Sequence, residues 1–227
     1  MIIRRTTLET CADIRGLVVS IDVLRAFTTA GYLIHYGAKD VILVAEVQEA
    51  LALRSRFPDF LLLGEVDGVK VPEFDFGNSP SALTPDRVRG RTIVQRTTAG
   101  TQGVLRPVHA HPIFAAALTN LSATARSIRA LNPESITLIE TGVFPGGFGE
   151  EDIACADGLE ALLLGTELDA AALSDRVINS FAARKFYGTH PSFPSADVPM
   201  AAEVDRFDFA LRVERVNGLC YLRQVRV

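Results

Sequence analysis

The chain has 227 residues, is 48% hydrophobic in composition and carries a formal net charge of -4 at pH 7. That length and apolar share are enough for one large domain with a sizeable core and exclude a disordered chain. The mixed, slightly acidic charge argues against a nucleic-acid binder, whose footprint is a net basic face. Cys11, Cys155 and Cys220 are odd in number and form no CxxC pair, so reduced thiols in the cytoplasm are expected rather than a disulfide framework or a zinc site. The opening MIIRRTTLETC lacks a signal-peptide core, and no apolar run approaches the roughly 18 residues of a membrane span.

The chain is organised around Gly16–Thr29. Leu17, Val18, Val19 and Ile21 show no polar alternation and read as a strand buried on both faces, as in parallel sheets covered by helices. Asp22 ends that strand, and Arg25 to Tyr36 reads as a helix with Gly37 as its C-cap. Asp40–Ala45 predicts a second strand, Val47–Phe57 a helix stopped by Pro58, and Phe60–Leu63 a third strand. This alternation predicts βαβ crossovers and a largely parallel sheet. Glu65–Pro80 reads as a long ordered loop, and Arg91–Arg96 as a fourth strand ending in the turn Thr97–Gly103.

His109–Leu118 reads either as a strand or as the start of a helix. Asn120–Leu131 predicts a helix, Ser135–Thr141 a strand running into the glycine-rich turn Gly142–Gly149, and Glu151–Leu164 a helix with acids in its first turn. Helix is expected to continue over Leu168–Phe186, followed by a proline-rich connector, His190–Pro199, and a short helix within Met200–Phe209. Leu211–Val216 and Leu219–Val225, about Asn217-Gly218, predict a C-terminal β-hairpin. No linker divides the chain, so residues 1–227 are expected to form a single domain.

Strand ends are where open α/β sheets bind ligands, and in a parallel sheet those ends share one edge. Asp22 with Arg25 supplies an acid for a metal and a cation for a phosphate; the alternative is that Asp22 caps the helix and Arg25 pairs with it. Thr97, Thr98 and Thr101 offer hydroxyls, and Gly100 and Gly103 let amides approach an anion, which makes the turn a candidate phosphate cradle. Asn78 and Ser79 precede Pro80 as a helix cap that would also point amides at an oxyanion. Glu151, Asp152 and Asp157 are oxygen ligands for a hard cation, favouring Mg²⁺ over zinc, or structural acids at a helix start. His109 and His111 alternate as strand neighbours and form at most a weak metal pair. GxxxxGK(S/T) and GxGxxG are both absent, as is the second acid of a DxD phosphatase after Asp22. Metal-assisted attack by water survives these exclusions.

Four blocks, IDVLRAFTT (21–29), FDFGNSP (74–80), RTTAGTQG (96–103) and EDIACADG (151–158), resemble in content and order the 2-phosphosulfolactate phosphatase family of coenzyme M biosynthesis. The resemblance covers most of the chain. It implies a cytoplasmic three-layer α/β/α fold, assembled as a homo-oligomer, with a homodimer the expected form. It implies Mg²⁺-dependent hydrolysis of a small phosphorylated, sulfonated hydroxy acid to sulfolactate and phosphate. Carried onto this sequence, Asp22, Arg25, Glu65 and Asp152 are catalytic candidates. Asp22, Glu65, Glu151 and Asp152 are metal candidates, and Asn78, Ser79, Thr97, Thr98, Gly100 and Thr101 are phosphate-holding candidates. Gly64–Gly68 is less basic than in many members and Ala99 replaces an amide side chain of some, which leaves Lys70 or Arg96 to meet a sulfonate. Two other readings are a phosphatase for a different small phosphoester and a non-catalytic module that binds a phosphorylated metabolite. No nucleic-acid or membrane partner is expected.

Overall fold

Leu17, Val18, Val19 and Ile21 are all buried, as a strand covered on both faces requires. The computed structural model describes residues 1–144 and 147–227; Pro145 and Gly146 of the expected glycine-rich turn lie outside the described residues. In chain order the strands are β1 (Ile2–Thr7), β2 (Gly16–Ile21), β3 (Asp40–Leu43), β4 (Leu61–Val66), β5 (Val69–Lys70), β6 (Thr92–Arg96), β7 (Ala110–Ala116), β8 (Ser135–Glu140), β9 (Val143–Phe144), β10 (Gly147–Phe148), β11 (Ala210–Val216) and β12 (Leu219–Val225). The helices are α1 (Ala26–His35), α2 (Val47–Arg56), α3 (Pro85–Val88), α4 (Gly100–Leu105), α5 (Leu121–Leu131), α6 (Glu150–Leu164), α7 (Ala170–Ile178) and α8 (Asp197–Ala202).

The fold is the expected mixed α/β one, with a mostly parallel ten-stranded sheet, helices around it and a C-terminal hairpin. The sheet order is β1-β8-β2-β7-β11-β12-β3-β6-β4-β5, with β9 and β10 paired separately. β1, β8, β2 and β7 form one parallel group, and β3, β6 and β4 form another. The hairpin β11–β12 is the seam between them: β11 pairs antiparallel with β7 and β12 antiparallel with β3. Three successive antiparallel ladders separate the groups, so the groups run in opposite senses and their carboxyl ends do not share one edge of a flat sheet.

They nevertheless meet, because the sheet bends. Five strand spacings separate β2 from β6, about 24 Å if flat. Yet Gly100, four residues beyond β6, lies so close to the end of β2 that a Cβ there would fall 2.6 Å from Asp22 Oδ2 and 2.4 Å from Ala26 Cβ. Only glycine admits that approach. Alternation along β3 covers both faces: Val41 and Leu43 join the main core with α1 and α5, while Ile42 and Val44 pack under α2.

Several elements differ from expectation for identifiable reasons. β1 was not anticipated; it is an edge strand with one neighbour, β8, and its paired arginines mask the apolar pattern. His109–Leu118 resolves as strand β7, because β2 and β11 flank it and long-range pairing decides the state. The turn after β6 continues into α4. The helix expected over Leu168–Phe186 breaks after Ile178, where Ser180 Oγ accepts from Ala183 N at 3.1 Å and starts the separate 3-10 turn Ala182–Tyr187. The short helix expected in 200–209 begins earlier, at Asp197, and Phe207 leaves it to pack edge-on against Tyr32 at 5.0 Å.

Leu211 is fully buried at the seam, paired with Ala115 of β7. Leu211→Ala is expected to lower the unfolding free energy by about 2–5 kcal/mol, read from urea unfolding; a loss typical of an exposed site would show the hairpin to be peripheral.

Candidate active site

Asp22 caps the helix that follows it. Its Oδ1 accepts from Ala26 N at 2.9 Å and its carbonyl from Phe27 N at 3.1 Å. Arg25 does not pair with it. The Arg25 guanidinium turns instead to Asp197, at 2.7 Å, and to the carbonyls of Ser192 at 2.8 Å and Gly68 at 3.3 Å. Phe186 and Phe193 lie beneath it, 4.9 and 5.4 Å from their ring centres. Asp197 also accepts from Ser79 Oγ at 2.8 Å and from Ser81 N and Oγ at 3.0 and 2.6 Å. One fully buried carboxylate thereby fixes both Arg25 and the 78–81 loop. Sequence reasoning missed Asp197, whose only signal was an acid near a helix start.

The turn after β6 is built to hold an anion, and the anion it holds is Glu65. Thr98 N reaches Glu65 Oε1 at 2.6 Å, while Thr98 Oγ1 and Gly68 N reach Oε2 at 2.9 and 2.5 Å. Thr97 and Thr101 satisfy each other, N to Oγ1 in both directions, at 3.1 and 3.0 Å. Their hydroxyls, with Gly100 and Ser79, therefore form the framework behind the wall instead of its surface.

Asp152, in the first turn of α6, reaches across to the strand ends. Its Oδ1 accepts from Val23 N at 2.8 Å and its Oδ2 from Gly142 N at 2.7 Å, which ties the end of β2 to that of β8. Glu151 Oε2 and Asn78 Oδ1 are buried without a hydrogen-bond partner.

These groups line one cavity of about 590 Å³: Asp22, Arg25, Glu65, Asn78, Thr98, Glu151 and Asp152, with Arg184 and Lys185 as further cations and Phe148 and Phe181 as an apolar flank. The expected convergence is present. Ser79, Thr97, Gly100 and Thr101 do not line the cavity, nor do Lys70, Arg96, His109, His111 and Asp157. Lys70 is exposed, and Arg96 is committed to the carbonyls of Glu65 at 2.7 Å and Ala45 at 3.1 Å. Both histidines are exposed, and Asp157 pairs with Arg5 and Arg176, each at 2.7 Å.

The electrostatics follow from like charges taken out of water together. Burial pushes the Asp22 carboxyl from 3.8 to about 6, against the pull of the Ala26 amide and with a push from Glu65. Burial and then the charge of Asp22 raise Glu151 from 4.5 to about 7. Burial, Glu151 and Asp22 hold Asp152 well above its ordinary value, with the Val23 and Gly142 amides opposing. Among the described residues no three His, Cys, Asp or Glu side chains form a ready-made metal cage.

Raised carboxyl pKa values mean that the folded state binds more protons than the unfolded one between the two values. In chelator, the protein should therefore lose stability as pH rises from about 4 to about 7, across the windows of Asp22 and Glu151. Glu151→Gln, which removes a buried charge, is expected to raise the melting temperature at pH 8 by about 3 °C or more and to flatten that slope, measured by scanning calorimetry. An unchanged slope would show Glu151 to be ordinarily solvated.

A family profile described as 2-phosphosulpholactate phosphatase matches residues 3–208. A protein named probable 2-phosphosulfolactate phosphatase from Bacillus subtilis (strain 168) is 32% identical over 199 residues, covering 87% of this chain and 86% of that protein. Proteins of the same name from Gloeobacter violaceus and Thermosynechococcus vestitus are 39% and 34% identical, covering 69% and 74% of this chain and 69% and 71% of their own. The motif blocks, the cavity they line and this match over nearly the whole length agree: the chain belongs to the 2-phosphosulfolactate phosphatase family.

Proposed function

We propose that the protein is a Mg²⁺-dependent phosphatase that hydrolyses 2-phosphosulfolactate to sulfolactate and inorganic phosphate in coenzyme M formation. Its family and the names of its relatives support the phosphatase and its substrate. One observation supports the cation most: four buried carboxylates, Asp22, Glu65, Glu151 and Asp152, face a cavity whose best-held cation, Arg25, is already paired with Asp197. Where those carboxylates are ionised they repel an entering phosphate dianion, and a bound cation offsets that repulsion.

The donor set suits Mg²⁺. Glu151 Oε2 and Asn78 Oδ1 have no partner, and Asp22 Oδ2 accepts no hydrogen bond among the described residues. Such hard oxygens, one or two carboxylates with the substrate's phosphate completing the shell, are the usual Mg²⁺ arrangement, so a preformed cage is not needed. When bound, the cation neutralises phosphoryl oxygens and so lowers the barrier to in-line attack by water. Glu65 and Asp152, whose oxygens are held by backbone amides, fix the two loops that border the cavity. Arg25 and the Asn78 amide group hold the phosphate, with Thr98, whose amide and hydroxyl are committed to Glu65, and Ser79, Thr97, Gly100 and Thr101 supporting them from behind. A carboxylate of this rim orients the attacking water. No described helix is long and apolar enough to cross a membrane, and the three cysteines are buried and unpaired, which supports a cytoplasmic enzyme.

Arg25→Ala and Asp152→Asn are each expected to lower turnover of 2-phosphosulfolactate and of p-nitrophenyl phosphate by about 10²–10³, by analogy with the loss of one oxyanion-stabilising donor. Chelator should abolish the wild-type rate and Mg²⁺ restore it. Equal rates with and without Mg²⁺ would remove the cation from the reaction, and phosphoester binding without turnover would favour the non-catalytic module.

A further inference from the structure

We propose that Lys185, with Arg184 beside it, forms a second anion subsite that binds the carboxylate or sulfonate on the organic half of the substrate. The inference rests on the phosphatase reading and deepens it. Both residues lie on the 3-10 turn Ala182–Tyr187 and line the cavity.

Arg25 is held by Asp197 and two carbonyls. Lys185 makes no ion pair among the described residues, although Asp22, Glu151 and Glu65 are close enough to stabilise its charge. What holds it is aromatic: Nζ stands 5.6 Å from the ring centre of Phe186 and 5.1 Å from that of Phe193. These are the rings that also carry Arg25, set edge to face at 5.5 Å. Ring faces attract a cation without accepting its N–H groups in the way a carboxylate does, so the three ammonium donors stay available to a ligand.

Position supports the same role. The cavity's wall strips water from the ammonium and Arg25 repels it, which lowers its pKa; an anion placed against it relieves both effects. Arg184 stands over Phe181, 5.3 Å from its ring centre, and likewise makes no ion pair among the described residues. Lys70 and Arg96, the cations expected from the sequence to meet a sulfonate, do not line the cavity. A phosphoester with a second negative group is therefore matched by a second cationic region, whereas one with a neutral organic half leaves these donors unpaired. Selection then comes from a charge-assisted contact that only the doubly anionic ester makes.

The test compares wild type, Lys185→Gln and Lys185→Arg on 2-phosphosulfolactate, 2-phospholactate and p-nitrophenyl phosphate in Mg²⁺. The quantity read is the ratio of kcat/KM for each anionic ester to that for p-nitrophenyl phosphate, which cancels any loss of folded enzyme. Lys185→Gln is expected to lower that ratio by about 10–100-fold, mainly through KM, and Lys185→Arg to restore most of it. A fall for both anionic esters supports contact with the carboxylate, and a fall for 2-phosphosulfolactate alone supports contact with the sulfonate. A common fall on all three substrates, or none, overturns the subsite. Calorimetric titration of sulfolactate separates this from the phosphatase reading: about tenfold weaker binding to Lys185→Gln supports the subsite even where turnover is absent, and equal binding overturns it.

Discussion

Like charges can be buried side by side only where donors or counter-charges meet them, and that constraint shapes the whole rim of this molecule. Asp22, Glu65, Glu151 and Asp152 are all buried; Asp22 is held by the amide of Ala26 in the helix it caps, and Glu65 and Asp152 by main-chain amides from segments far away in the chain. Asp152 reaches the amide of Val23, 129 residues away, and Glu65 that of Thr98, 33 residues away. Each carboxylate thus fixes a loop as well as lining the cavity. The oxygens left over, on Glu151 and Asn78, are the ones a ligand can engage.

The Arg25–Asp197 pair completes the arrangement from the other side. A buried ion pair is weak evidence of stability, since the desolvation of both partners offsets their attraction. Its value here is geometric: Asp197 accepts from Arg25, Ser79 and Ser81 together, so one side chain sets the distance between the start of α1 and the 78–81 loop. The Phe186–Phe193 pair carries two cations at once, which keeps Arg25 and Lys185 close without an anion between them.

Much of this was legible from the residues alone. Apolar runs located β2, β3, β4, β6 and β8, and the Asn217-Gly218 turn located the hairpin, both of its residues at positive φ as such a turn demands. The convergence of Asp22, Glu65, Asn78, Thr98 and Asp152 was expected, but the reason given for it, a shared edge of parallel strands, was not the one at work. Bending of the sheet about its seam depends on pairings between distant strands, which no local pattern encodes. Partners were hidden for the same cause: Arg25 and Asp197 are 172 residues apart, and nothing near either names the other. Lys185 was obscured because a helical pattern through Ser180 concealed the break that turns it toward the cavity. Thr97 and Thr101 were misjudged because a hydroxyl-rich turn looks the same whether its groups face a ligand or each other.

The seam has a consequence for how the molecule comes to be made. The seam hairpin follows the other described strands of the sheet in the chain, yet its second strand, β12, pairs with β3, which emerges early. During synthesis the two parallel groups can form separately, but no strand pairing joins them until the hairpin arrives, so their inner edges stay open to other chains until then. The two ladders that attach the hairpin, β7–β11 and β12–β3, have high sequence separation, which makes closure a late and slow event. A nascent chain of this kind completes the join only once β12 has emerged, and a ribosome that stalls before that point leaves behind two sticky halves.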